Sequence, residues 1–190
     1  MGQFIISVIS GNIKNCLYLH FNYQYFNMRK TNKVLKIFII DIIALAFIFF
    51  LPAISGLLNF PLYLVDPMRM MIILALAHTN KNNSYFLALI LPLFSYFIAS
   101  HPYFLKTSII LLELLLNIYL FYFLISKIKN SFFSMFISIV VCKGFYYGLK
   151  FLLISLTLIE GSLLSTPIKY QIITAIAFSL YIQLFFRRNR

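Results

Sequence analysis

Ser100-His101-Pro102-Tyr103-Phe104-Leu105-Lys106 runs directly into an apolar stretch that carries Glu113 and Asn117. A polar turn of this kind marks one face of a membrane. The stretch behind it then sends a carboxylate and an amide into hydrocarbon. Ionisable groups inside a bilayer cost free energy, so a chain that keeps one uses it or pairs it. The remaining sequence reads as the scaffold for this element. Of its 190 residues 62% are hydrophobic and 11% charged, against roughly half and a quarter in soluble domains. With a mean hydropathy of +0.93, the chain is expected to be an all-α, polytopic membrane protein.

Working outward, roughly 20 apolar residues suffice for a crossing, and the sequence offers about six such segments. The first runs from Val34 to Leu57 with Asp41 two turns in. The second, Met68 to Ala77, is too short for a comfortable crossing, so a tilted, bent or partly re-entrant segment is expected there. The third is Tyr85 to Ala99, with Pro92 as a kink. The fourth, Thr107 to Ile125, carries Glu113 and Asn117. Phe132 to Leu158 and Ile168 to Phe186 complete the set. Residues 28–190 thus read as a single six-helix transmembrane domain. Residues 1–27 read as a tail, or as sequence ahead of a true start at Met28. They fit neither a signal peptide nor a myristoylation site.

Lys and Arg divide unevenly between the two ends of these spans. Arg29, Lys30, Lys33, Lys81, Lys127, Lys129, Arg187, Arg188 and Arg190 collect on one side, and Arg69, Lys106 and Lys169 on the other. The positive-inside rule makes the richer side cytoplasmic and puts both termini there. The same distribution disposes of a nucleic-acid reading of the formal +12 charge. The basic residues sit in short clusters between apolar spans, where they contact lipid headgroups, and form no continuous basic face.

Enzyme readings fail for lack of their parts. There is no G-x-x-x-x-G-K-[ST] for a nucleotide and no H-E-x-x-H, and the three His are scattered. Asp41 and Glu113 enter from opposite faces, too far apart for a carboxylate dyad. No His lies in the membrane to activate a Ser or Cys. Cys16 and Cys142 suggest neither a disulfide framework nor a metal site. No catalysis, metal or cofactor is expected.

Depth matching singles out candidate binding residues. At ~1.5 Å per residue, Glu113 lies roughly 10 Å from the outer end of the fourth span, and Lys150 at a similar depth in the fifth. Asn117 and Lys143 match about one turn deeper. Glu113 and Asn117 share a helix face. Lys143, Tyr147 and Lys150 lie along one stripe with Tyr146 beside it. These faces are expected to look at each other across a cavity open to the outside, with Arg69 and His101 closing over a ligand. A purely structural Glu113–Lys150 ion pair is the bland alternative. If the site binds a ligand, Glu113→Gln should abolish binding with little loss of folded protein. Gly144-Phe-Tyr-Tyr-Gly148 is a GxxxG, read as a close helix–helix contact, and Ser134, Ser138 and Cys142 read in the same way.

The stretch from Asp66 to Leu153 resembles the S components of energy-coupling factor transporters. The likeness rests on Pro67-Met68-Arg69, Leu91-Pro92-Leu93-Phe94-Ser95, Ser100-His101-Pro102 with Lys106, Glu113 and Asn117, and Ser138 to Lys150. It is a likeness to uncharacterised bacterial members, not to a vitamin-specific subgroup. The resemblance implies a substrate-binding subunit of the bacterial cytoplasmic membrane that takes up a vitamin or similar micronutrient. It implies docking on a transmembrane coupling subunit with two cytoplasmic ATPases. The Ala-x-x-x-Ala that such proteins often carry in the first span is missing, since Ala44, Ala46 and Ala53 do not make that spacing. A non-transporting scaffold subunit of a cell-envelope assembly complex is the competing class.

Overall fold

The computed structural model describes residues 31, 34–99, 104–159 and 166–186, so residues 1–27 and His101 lie outside the described residues. The described residues are helical and contain no strand. The helices are α1 (Val34–Leu57), α2 (Pro67–His78), α3 (Lys81–Ala99), α4 (Phe104–Ile128), α5 (Ser131–Ser155) and α6 (Ile168–Phe186), with a 3-10 turn at Leu62–Val65. The chain divides into residues 1–39 and residues 40–190, a boundary that falls inside α1. The packing below is that of the second unit.

Among the described residues, four helices are long and apolar enough to cross a membrane: α1, α4, α5 and α6. At 25 residues each, α4 and α5 extend about 37 Å, more than the ~30 Å of bilayer hydrocarbon. The chain is thus built as a membrane protein. α2 has only 12 residues and a length of about 18 Å. What it lacks in length it makes up in enclosure. Met71, Ile72, Ile73, Ala75, Leu76 and Ala77 are all buried, and a helix apolar on every side is stable where protein surrounds it. It packs against α3 and α6.

α1 joins this core through a single stripe. Ile40, Ala44 and Ile48 are buried at four-residue spacing, which places them on one helix face. Ile42, Ile43, Phe49 and Phe50 remain exposed, as suits a helix bathed in lipid. Leu87, Ala88 and Leu91 of α3, Ile118, Phe121 and Ile125 of α4, Met135 and Ile139 of α5, and Ile182 of α6 complete the core.

Helix ends depart from the sequence reading where polar residues find partners. α3 starts at Lys81, four residues before expected, because the polar residues of its first turn find partners. Asn83 Nδ2 donates to Asp41 Oδ1 at 2.8 Å, and Ser84 Oγ donates to the Asn80 carbonyl at 3.3 Å. Pro92 lies inside α3, which continues past it. Asn130 caps α5 by accepting from the Phe132 N–H at 3.0 Å, the usual repair for orphan N–H groups at a helix start.

The GxxxG expectation is corrected. Gly144 and Gly148 are exposed, and a Cβ at either would meet nothing within 4 Å. They bring no helix among the described residues close. Gly144→Ala is therefore expected to raise stability by about 0.5–1 kcal/mol through helix propensity alone. Unfolding in detergent would measure it, and a loss of stability would mean that the face is covered.

Candidate functional site

The short connection from α1 to α2 shapes the site. Ser55 Oγ donates to the Phe60 carbonyl at 2.7 Å and accepts from the Leu62 N–H at 3.3 Å, tying the chain reversal together. After the 3-10 turn, Asp66 adopts φ 57°, ψ 61°, a left-handed conformation that Asp tolerates better than most residues. Pro67 then opens α2 at the position where a missing N–H costs least. The turn sets the Asp66 carboxylate beside Arg69, one turn into α2.

Four charged groups meet there. Arg69 bridges two carboxylates: its Nη1 lies 2.9 Å from Asp66 Oδ2, and its Nη2 donates to Glu113 Oε1. Lys143 of α5 bridges the same pair, with Nζ 2.9 Å from Asp66 Oδ2 and 3.3 Å from Glu113 Oε1. Two anions and two cations alternate in a ring that ties the α1–α2 connection to α2, α4 and α5. Arg69 and Glu113 are almost fully enclosed, with side-chain exposures of 2% and 4%. Burial works to raise the Asp66 pKa, but Arg69 and Lys143 outweigh it and hold the group at about 2 instead of 3.8. The stabilisation from this shift is present above the ordinary carboxylate range and is lost as pH falls towards 2.

The ring corrects two expectations. The ion pairs of Glu113 run to Arg69 and Lys143, where the sequence suggested Lys150. The reason lies in the helix ends. α4 begins at Phe104 instead of Thr107, and α5 ends at Ser155 instead of Leu158. Glu113 then lies between Lys150 and Lys143 in depth, and the Lys143 ammonium is the one that reaches it. Arg69 is no rim residue that closes over a ligand, since it is buried inside the ring.

Beside the ring lies a cavity of about 290 Å³, near the lower end of the ~300–1,000 Å³ usual for small-molecule sites. Asp66, Glu113, Lys143, Tyr146 and Tyr147 line it together with Tyr63, Ser95, Lys106, Gln171 and Thr174. Lys143 Nζ lies 5.6 Å from the Tyr146 ring centre, and the Tyr146 and Tyr147 rings meet edge to face at 5.3 Å. Gln171 of α6 donates through Nε2 to the Tyr147 hydroxyl at 2.5 Å and to the Thr166 carbonyl at 2.9 Å. This fixes one wall.

Asn117 and Lys150, both proposed from the sequence, are buried and are not among the cavity's lining residues. Asn117 sits one turn beyond Glu113. Its backbone carbonyl accepts from Ser138 Oγ at 2.7 Å, and its Nδ2 has no oxygen or nitrogen partner, only the weak acceptor sulfur of Cys142 beside it. Asn117→Leu is expected to leave binding unchanged. A loss of binding would instead put the amide on the ligand.

Sequence reasoning missed Asp66, Lys106, Gln171 and Tyr63. The Asp66/Arg69 spacing of three residues was the available signal for the first. Lys106 enters the sequence reading through the orientation count and the resemblance but not as a binding residue, and a lone glutamine in the apolar α6 run gives no sign of its partner. Among the described residues, no group of His, Cys, Asp and Glu is arranged to hold a metal ion. Compared with protein-family models, curated proteins and solved structures, the chain matches none of them.

Proposed function

We propose that this chain is the substrate-binding membrane subunit of an energy-coupling factor type importer, taking a vitamin or other micronutrient from outside the cell. The observation that supports this reading is the cavity of about 290 Å³, mostly apolar but with several polar side chains in its lining, among apolar helices. A protein that only packs against partners has no use for an internal space bordered by Lys106, Tyr147 and Gln171. In this reading the helices make six crossings of the bacterial cytoplasmic membrane with both termini inside, α2 being a crossing shortened by its enclosure. The cavity opens outward at the end of α4 that carries Lys106. Energy comes from a transmembrane coupling subunit and two cytoplasmic ATPases.

The ring of Asp66, Arg69, Glu113 and Lys143 favours the second reading, a scaffold subunit of a cell-envelope assembly complex, because its charges satisfy one another without a ligand. Affinity purification from native membranes in mild detergent separates the two. Co-purification of a membrane coupling protein with two ATPases supports import. Recovery of envelope-assembly proteins without ATPases overturns it.

A further inference from the structure

The cavity wall carries more positive charge than its carboxylates use. Asp66 and Glu113 each contact both Arg69 and Lys143, so the four groups close on themselves and present no net charge. Lys106 stands apart from them. It lines the same cavity and makes no ion pair among the described residues. It lies in the first turn of α4, where the helix macrodipole adds positive potential. A ligand that brings an anion to this ammonium makes a charge-assisted contact that no described carboxylate supplies.

The remaining surface defines the rest of the ligand. Leu51, Leu64, Met68, Ile110 and Leu114 join Tyr63 and Tyr146 in the lining. These are side chains that hold an apolar or aromatic body. A volume of about 290 Å³ falls near the lower end of the ~300–1,000 Å³ of small-molecule sites, so the ligand is small. From these observations we infer that the cavity takes a small amphipathic anion, with its carboxylate or phosphate on Lys106 and its apolar body against Tyr63 and Tyr146. This rests on the cavity being a ligand site, as proposed above, and adds the ligand's charge class.

Three probes of one shape but different charge test it: hydrocinnamate, hydrocinnamamide and phenylpropylamine. Each is added at millimolar concentration to the full chain in nanodiscs of phosphatidylcholine, with thermal unfolding and calorimetry as readouts. Hydrocinnamate is expected to stabilise the protein and the other two to leave it unchanged. Lys106→Gln should weaken hydrocinnamate binding by roughly ten- to a hundredfold, the worth of one charge-assisted contact, and Lys106→Arg should retain it. Lys106 is half-buried at the cavity wall, so both variants are expected to fold, which their unfolding without probe verifies. Equal or tighter binding of the amide or the amine, or no binding of any probe, overturns the inference. A parallel series in nanodiscs containing phosphatidylglycerol separates a soluble anion from a lipid headgroup. Stabilisation by that lipid that Lys106→Gln removes and hydrocinnamate does not compete for would transfer the site to lipid and overturn the small-molecule assignment. Binding of the anion without co-purifying ATPases would sink the import reading alone, and co-purification without anion binding would sink only the charge class.

Discussion

Glu113→Gln is expected to lower stability by about 3–5 kcal/mol, the range for breaking a buried ion pair from one side. The sequence alone suggests a milder outcome, with binding lost and the fold kept, because it shows Glu113 facing a ligand or one lysine. In the structure Glu113 stands between the buried Arg69 and Lys143, and the amide would leave two cations sharing the single charge of Asp66. The test is thermal unfolding of Glu113→Gln, Arg69→Met and the double variant. The double variant keeps the Lys143–Asp66 contact of 2.9 Å and restores charge balance. It should therefore be more stable than Glu113→Gln, with a coupling of at least ~1 kcal/mol between the two sites. Strict additivity would mean that the ring does not act as a unit.

Phe121→Ala is the second large effect, expected at about 3 kcal/mol, the lower end for emptying a buried aromatic site. Phe121 has 0% exposure and meets Phe186 of α6 edge to face at 5.2 Å. Lipid is as apolar as the core, so transfer from water contributes little between membrane helices, and what is lost is contact and close packing. Phe123, two residues on and 49% exposed, provides the comparison. Phe123→Ala should change stability by less than about 0.5 kcal/mol. Equal effects of the two would mean that α4 does not pack through the Phe121 face.

Apolar runs made much of the architecture legible before any coordinates. α1 ends at Leu57 and α6 begins at Ile168, where hydropathy puts them, because turn-forming residues flank both ends. α3 was read four residues short, since Lys81-Asn82-Asn83-Ser84 looks like a loop until Asp41 and Asn80 supply its partners. The site was half visible. Arg69, Glu113 and Lys143 stand out because charge is rare in an apolar run, yet their pairing depends on helix register, which a three-residue error at two ends was enough to shift. Asp66 was hidden for another reason. It sits in a loop, where a carboxylate is ordinary, and only its left-handed backbone brings it to Arg69. The Gly144/Gly148 spacing shows the opposite failure, a local pattern with no partner helix among the described residues.

The enclosure of α2 has a consequence for biosynthesis. A 12-residue segment with an arginine in its first turn falls well short of the ~20 apolar residues with which a helix partitions into lipid unaided. α2 has no independent route into the bilayer. Its enclosure is complete only when α3 and α6, the helices it packs against, are both present, and α6 is the last of them to be synthesised. The ring draws on nothing from α6, whereas the cavity takes Gln171 and Thr174 of α6 into its lining and is complete only with that last helix.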